Sequence, residues 1–210
     1  MPETLPTSRF EKRRLRNRAA LIEAALELFQ RQGLRGTKLE EVCAHADVSP
    51  RTFFNHFETR EHLYQAIAAQ RASQLAAQLD AAREQGPFGP QLERTFRRTA
   101  RYLAARPLYR ELVGEMLRLR PETGSEIARE RTVGQASLRF IESGVAKNEV
   151  TRRHAPAVLA DILIGTLVTA LTNWCANERY DLETGLGEAC HALLDLLAPR
   201  AGELGVRSSR

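Results

Sequence analysis

The sequence has 210 residues, 31 Lys plus Arg against 26 Asp plus Glu, and 43% hydrophobic side chains, which suits one folded chain of one or two small domains. Only 9 Pro and 13 Gly beside 27% charged residues exclude collagen-like, low-complexity and disordered architectures. The three cysteines, at 43, 175 and 190, have no C-x-x-C spacing and give neither a disulfide framework nor a zinc ribbon, and the first twenty residues carry no apolar stretch of the secretory kind, so a reducing cytoplasm is expected.

The net charge of +5 is concentrated at the start of the chain. Arg9, Lys12, Arg13, Arg14, Arg16 and Arg18 face a single acid, Glu11, within ten residues, and residues 1–16 read as a flexible basic arm that seeks a polyanion. The first helix follows from Asn17 to Gln32, where Leu21, Ala25, Leu28 and Phe29 fall on one face of a 3.6-residue period. Gly33 and Gly36 stop it. Thr37 stands at the N-cap position, with Glu40 three residues on as its capping-box partner, opening a short helix LEEVCAHA whose inward face is Leu39, Val42, Cys43 and Ala46. Cys43 is thereby a small core residue rather than a reactive thiol. Asp47 breaks the pattern where a left-handed turn is plausible, and Ser49-Pro50 supplies an N-cap and a proline at N1 for a third helix, PRTFFNHF. Phe53 and Phe57, four apart, dock that helix on the first two, while Arg51, Thr52, Asn55 and His56 are left facing out, with hydrogen-bonding groups of the kind that read base edges. Two short helices joined by a tight turn, the second displaying polar side chains, form a helix-turn-helix.

A fourth, long helix runs from about 60 to 85, and GPFGP at 86–90 is the clearest break in the chain. Further helices are expected near 90–105, 107–119, 124–147, 155–179 and 183–198, separated by Pro107, Pro121, Glu149–Thr151 and Tyr180–Asp181. No period-two alternation bounded by turns occurs, so the fold is expected to be all-α, an N-terminal three-helix domain followed by a larger helical one. The segment 155–176 is long and apolar enough to be weighed as a membrane span, but Asp161, Asn173 and three threonines argue against that.

Residues Leu21–Gly33 (LIEAALELFQRQG), Gly36-Thr37, Val42 to Ser49 and Thr52 to Leu63 (TFFNHFETREHL) resemble the tetracycline-repressor (TetR) family of bacterial transcriptional regulators. The likeness covers about 50 residues; beyond Leu63 only the helical layout agrees. The resemblance implies a domain division of 17–63 for DNA binding and 64–200 for ligand binding and dimerisation, with 201–210 as a tail. It implies that Thr37 and Lys38 meet phosphate, that Ser49, Pro50, Arg51 and Thr52 open the recognition helix in the major groove, and that Phe54, Asn55 and His56 lie on its outward side. Arg60 falls where the family usually has a backbone-clamping lysine. Phe54 departs from the usual tyrosine and lacks its hydroxyl; Asp47 replaces the usual turn glycine and tolerates left-handed geometry. Arg13, Arg14 and Arg16 of the arm complete the expected phosphate contacts.

The resemblance further implies a homodimer built on the last two helices, with Leu163, Leu167, Leu171, Leu186, Leu193 and Leu197 at the interface, and a small-molecule effector among the middle helices, lined by Phe96, Tyr102, Leu112, Met116, Phe140 and Trp174. Arg106 and Arg110 are candidates to pair with an acidic effector. Cys190-His191 has no further ligands at metal-binding spacing, and no metal or cofactor is expected. There is no G-x-S-x-G, phosphate loop or H-E-x-x-H, so no enzyme activity is expected either. The expected function is a ligand-responsive repressor that binds near-palindromic double-stranded DNA; the rivals are an enzyme with an appended DNA-binding domain and an architectural DNA binder without a ligand.

Overall fold

A computed structural model describes residues 8–118 and 125–200, apart from the side chains of 116, 118 and 125–132. Among these residues there are only helices: α1 (Arg9–Gly36), α2 (Leu39–His45), α3 (Pro50–Phe54), α4 (Arg60–Ala82), α5 (Phe88–Ala104), α6 (Pro107–Arg118), α7 (Ser125–Ala146), α8 (Pro156–Ala176) and α9 (Leu182–Leu197). The fold is all-α. The chain divides into two units, Met1–Ile67 and Ala68–Arg210, and α4 begins in the first and ends in the second.

In the first unit Leu21, Ile22, Ala25, Leu28, Phe29, Val42, Cys43, Phe53, Phe57, Leu63 and Ile67 are buried together as the core. Each fully buried Leu, Ile or Phe contributes about 1.5–3 kcal/mol, enough to hold helices too short to persist alone. One expectation is corrected here. Residues 9–16 form the first two turns of α1 rather than an arm ahead of it, because the Ser8 hydroxyl accepts from the Glu11 N–H at 3.1 Å and the Arg, Lys and Leu that follow are strong helix formers. Phe10 and Leu15 stay exposed in these turns, so the apolar period that marks the helix in sequence starts only at Leu21. Residues 1–7 lie outside the described residues. Gly33, at φ 75°, kinks the end of α1 with a backbone that a side chain would strain.

The second unit packs α5 on α9 and α6, and α8 on α6, α7 and α9. α5 starts at Phe88, two residues before the expected start, because Pro90 falls in the first turn, where no intrahelical N–H is required, and the Phe88 N–H finds Glu149 Oε2 at 2.6 Å. Asp80 of α4 takes a two-bond fork from Arg139 of α7, at 2.9 and 2.7 Å, which holds its carboxyl below the usual carboxylate range. Gly144 lets α7 close on its neighbours: a Cβ there would lie 2.5 Å from Val150 and 2.7 Å from Phe88.

Candidate nucleic-acid interface

The turn between α2 and α3 is built as its residues dictate. Asp47 adopts φ 53°, the left-handed geometry its short polar side chain tolerates. The Ser49 hydroxyl then accepts from the Thr52 N–H at 3.2 Å, with Pro50 at the first helical position. Phe53 is 0% and Phe57 2% exposed, with ring centroids 5.4 Å apart, and this aromatic pair seats α3 on the core. Arg51, Phe54 and Asn55 are exposed, and His56 is half-buried. α3 is shorter than expected: Asn55 is its C-cap and His56 lies in the following turn. Thr52 Oγ1 is 2.9 Å from Ser49 Oγ, so these two hydroxyls serve each other as well as the solvent face.

Burial first, then the charges of Arg14 and Arg18, lower the pKa of His56. Its ring is therefore neutral at pH 7 and offers one donor and one acceptor. Arg18 also lies over the Phe57 ring at 5.3 Å. These observations bring Arg14 and Arg18 to the side of α1 beside α3. Arg13 and Arg16 do not share that side: at about 100° per residue, Arg18 lies about 40° from Arg14, whereas Arg13 and Arg16 are about 100° and 160° away. Helical geometry thus separates Arg13 and Arg16 from Arg14. Arg18, which belongs with Arg14, was detectable by its i+4 spacing.

Two further expectations fail on hydrogen bonding. Thr37 is 1% exposed and is not the cap of α2; its hydroxyl donates to the Gly33 carbonyl at 2.8 Å, and the N-cap is Lys38, whose N–H donates to Glu41 Oε2 at 3.1 Å. Thr37 closes the kink after α1 instead, leaving the exposed Lys38 side chain as the group open to phosphate. Arg60 does not project toward a ligand. Its Nη2 donates to the Leu34 and Thr37 carbonyls, and its guanidinium lies over the Phe29 and Tyr64 rings at 6.0 and 5.9 Å. It is a bolt between α4 and the end of α1.

In the second unit the six leucines expected at a dimer interface are mostly interior. Leu163, Leu167, Leu186, Leu193 and Leu197 are buried and Leu171 half-buried within the chain's own fold. The exposed face of α8 is instead Val158, Asp161, Ile162, Gly165, Val168 and Thr169, and Leu196 is the large apolar residue exposed on α9. Apolar residues fall on nearly every side of α8, so its sequence did not reveal which stripe faces inward. Of the expected effector residues, Phe96, Leu112, Phe140 and Trp174 are buried, and Phe140 stacks on Phe88 with centroids 4.6 Å apart. The Met116 side chain lies outside the described residues. Tyr102 is different: its hydroxyl is 2.8 Å from that of Tyr109, a residue that no sequence motif singles out. Arg110 is committed to packing, since it donates to the Trp174 and Asn177 carbonyls at 2.8 and 3.0 Å and covers the Trp174 ring. Cys190 is buried, which pushes its thiol up to about 11, with the Glu93 carboxylate adding to the effect.

Residues 21–67 match the family model described as bacterial regulatory proteins, tetR family. The likeness to the tetR family thus lies within the first unit. Over 48 residues the chain is 46% identical to the HTH-type transcriptional regulator TcmR of Streptomyces glaucescens; this stretch is 23% of the chain and 21% of that protein, about a fifth of the relative's length. The fold likeness is wider than the sequence likeness. RolR in complex with resorcinol superposes with a TM-score of 0.67 at 20% identity, covering 91% of this chain and 92% of RolR. SmeT, the repressor of the Stenotrophomonas maltophilia multidrug efflux pump SmeDEF, gives 0.68 at 20% identity, over 89% of this chain and 92% of SmeT. The second unit of this chain therefore shares the helical fold of TetR-type regulators.

Proposed function

We propose that the protein is a cytoplasmic, non-enzymatic repressor, which binds a near-palindromic double-stranded DNA operator as a homodimer and is released by a small-molecule effector held in the second unit. The observation that carries this reading is the capped α2–turn–α3 element, with Phe53 and Phe57 anchored inside and Arg51, Phe54 and Asn55 exposed, flanked by Arg14 and Arg18 of α1. Phosphate contacts from a basic helix position such an element, and a short helix with exposed polar side chains reads base edges. A ligand-bound neighbour, RolR, and a repressor, SmeT, support the regulatory half of the proposal.

The proposed division assigns 9–63, with the basic first turns of α1, to DNA binding and 64–200 to effector binding and dimerisation. Coupling between them runs through α4, a continuous helix that begins at Arg60 in one unit and ends at Ala82 in the other. An effector shifts the DNA-binding equilibrium only by its differential affinity for the two states, and operator DNA must weaken effector binding by the same factor.

Selection of bound sequences from random DNA tests the proposal. The expected product is an inverted repeat whose half-site centres lie about one helical turn apart, ~34–36 Å, or a multiple of it. Failure to enrich any sequence above random DNA, or enrichment of a single unrepeated half-site, overturns it.

A further inference from the structure

Arg71 of α4, Tyr102 of α5, Tyr109 of α6 and Arg106 between the last two form a cluster in the second unit that packing alone does not explain. The two tyrosine rings lie 5.3 Å apart and their hydroxyls are 2.8 Å from each other. The Arg71 guanidinium stands 5.0 Å from the Tyr102 centroid and 5.4 Å from that of Tyr109, and Arg106 covers the Tyr102 ring at 4.2 Å. Two cations thus converge on one aromatic pair. Among the described residues neither is paired with a carboxylate: Arg71 donates to Gln74 Oε1 at 2.7 Å and Arg106 to the Tyr102 carbonyl at 3.0 Å.

The hydrogen-bond inventory of the cluster is also incomplete. Nε of Arg71 is buried without a partner. The hydroxyl pair uses one of its two protons internally and leaves one O–H to donate. Burial, then the bond to Tyr102, pushes the Tyr109 hydroxyl up to about 12, so it remains a proton donor across the physiological range. A buried donor without an acceptor is costly unless a ligand completes it. What the cluster lacks is an anion with two acceptor oxygens.

We propose that Arg71, Arg106 and the Tyr102–Tyr109 pair recognise the carboxylate of a small organic acid. A guanidinium fork fits a carboxylate with two parallel bonds, a stronger arrangement than its contact with a ring face, so the arginines exchange ring for carboxylate when the acid enters. The identification of this acid as the effector rests on the function proposed above; its binding does not.

The test measures thermal stabilisation of the full chain, and release of the selected DNA, by benzoate and octanoate beside benzamide and octanamide as uncharged counterparts. Both properties are followed in wild type and in Arg71→Gln, Arg106→Gln and Tyr102→Phe. The expected result is that at least one acid raises the melting temperature and its amide does not, and that each arginine variant weakens the acid by about 10–100-fold while leaving DNA affinity unchanged. Tyr102→Phe keeps the ring and loses only the hydroxyl, and it should show a smaller loss, which guards against a variant that fails to fold. Equal binding of acid and amide, full acid binding by Arg71→Gln, or no stabilisation by either acid at about 10 mM, a concentration that would already stabilise measurably at millimolar affinity, overturns the site. Release of DNA by an amide alone would reject the acid chemistry and leave the effector reading standing. An acid that binds as predicted without releasing DNA would keep the site and reject the effector reading.

Discussion

Arg60 occupies a sequence position that suggests a phosphate contact, yet its surroundings give it a different task. The carbonyls of Leu34 and Thr37 lie at the end of the kinked α1 and just beyond it, and a guanidinium that satisfies both and covers Phe29 and Tyr64 ties three segments together. A hydrogen bond to a charged group contributes about 1.5–3 kcal/mol. Arg60→Gln should therefore lower the stability of the first unit by about 1.5–3 kcal/mol. Arg60→Lys should recover only part of this, because an ammonium can donate to the two carbonyls but has no planar face to lay over the Phe29 and Tyr64 rings. Urea denaturation followed by circular dichroism checks the prediction. An unchanged midpoint together with weakened DNA binding would restore the phosphate role. Neighbouring Thr37 carries the same lesson: a hydroxyl next to a helix start reads as a cap in sequence, but a buried hydroxyl takes the nearest carbonyl acceptor.

At the level of helices, the division of labour lies between α1 and α3. If Arg14 and Arg18 meet phosphates, replacing both with Ala should weaken specific and random DNA alike and reduce the salt dependence of log K by up to ~0.9 for each phosphate no longer neutralised. Arg16→Ala, on the far side of the helix, should leave the slope unchanged. Arg51→Ala should instead reduce discrimination between operator and random DNA by ~1–3 kcal/mol if a bidentate base contact is removed. Fluorescence anisotropy across a salt series separates these outcomes, and a full slope in the Arg14/Arg18 double variant would make α1 a bystander. The helix-turn-helix was legible because each of its signals is local: Asp47, Ser49-Pro50 and the Phe53/Phe57 spacing act within a few residues and were realised as read. The start of α1 was not, since its first two turns are held by propensity and the Ser8 cap with no apolar stripe to betray them. The Tyr102–Tyr109 pair was half-legible. Its members lie seven residues apart on two helices interrupted at Pro107, and which hydroxyl meets which is decided by tertiary packing.

For the molecule as a whole, the exposed face of α8 argues for a second copy of the chain. Val158, Ile162 and Val168 are 49%, 37% and 45% exposed, Leu196 of α9 is 47% exposed, and a Cβ at Gly165 would meet no heavy atom within 4 Å. The stripe opposite, with Leu159, Leu163, Leu167 and Trp174, is already spent on the fold. A largely apolar face with a small residue at its centre, and Asp161 and Thr169 beside it, lets a symmetry-related α8 approach closely, and a two-fold dimer would bury it on both copies at once. The two stripes must then respond differently to the same insult. Ile162→Arg or Val168→Arg adds a charge where the isolated protomer is open to solvent, so the product should be a folded monomer. Leu167→Arg or Leu193→Arg, at 7% and 4% exposure, forces a charge into the interior and should unfold the second unit before any question of association arises. The folded monomer should still touch one half-site, but losing the second, intramolecular binding event should weaken operator affinity by about 10²–10⁴-fold. Sedimentation velocity, melting temperature and operator affinity measured on the same four variants decide the matter. A dimeric Ile162→Arg with full operator affinity would move the interface elsewhere on the surface, whereas a monomeric wild type at micromolar concentration would reject the dimer, and with it the two-fold operator.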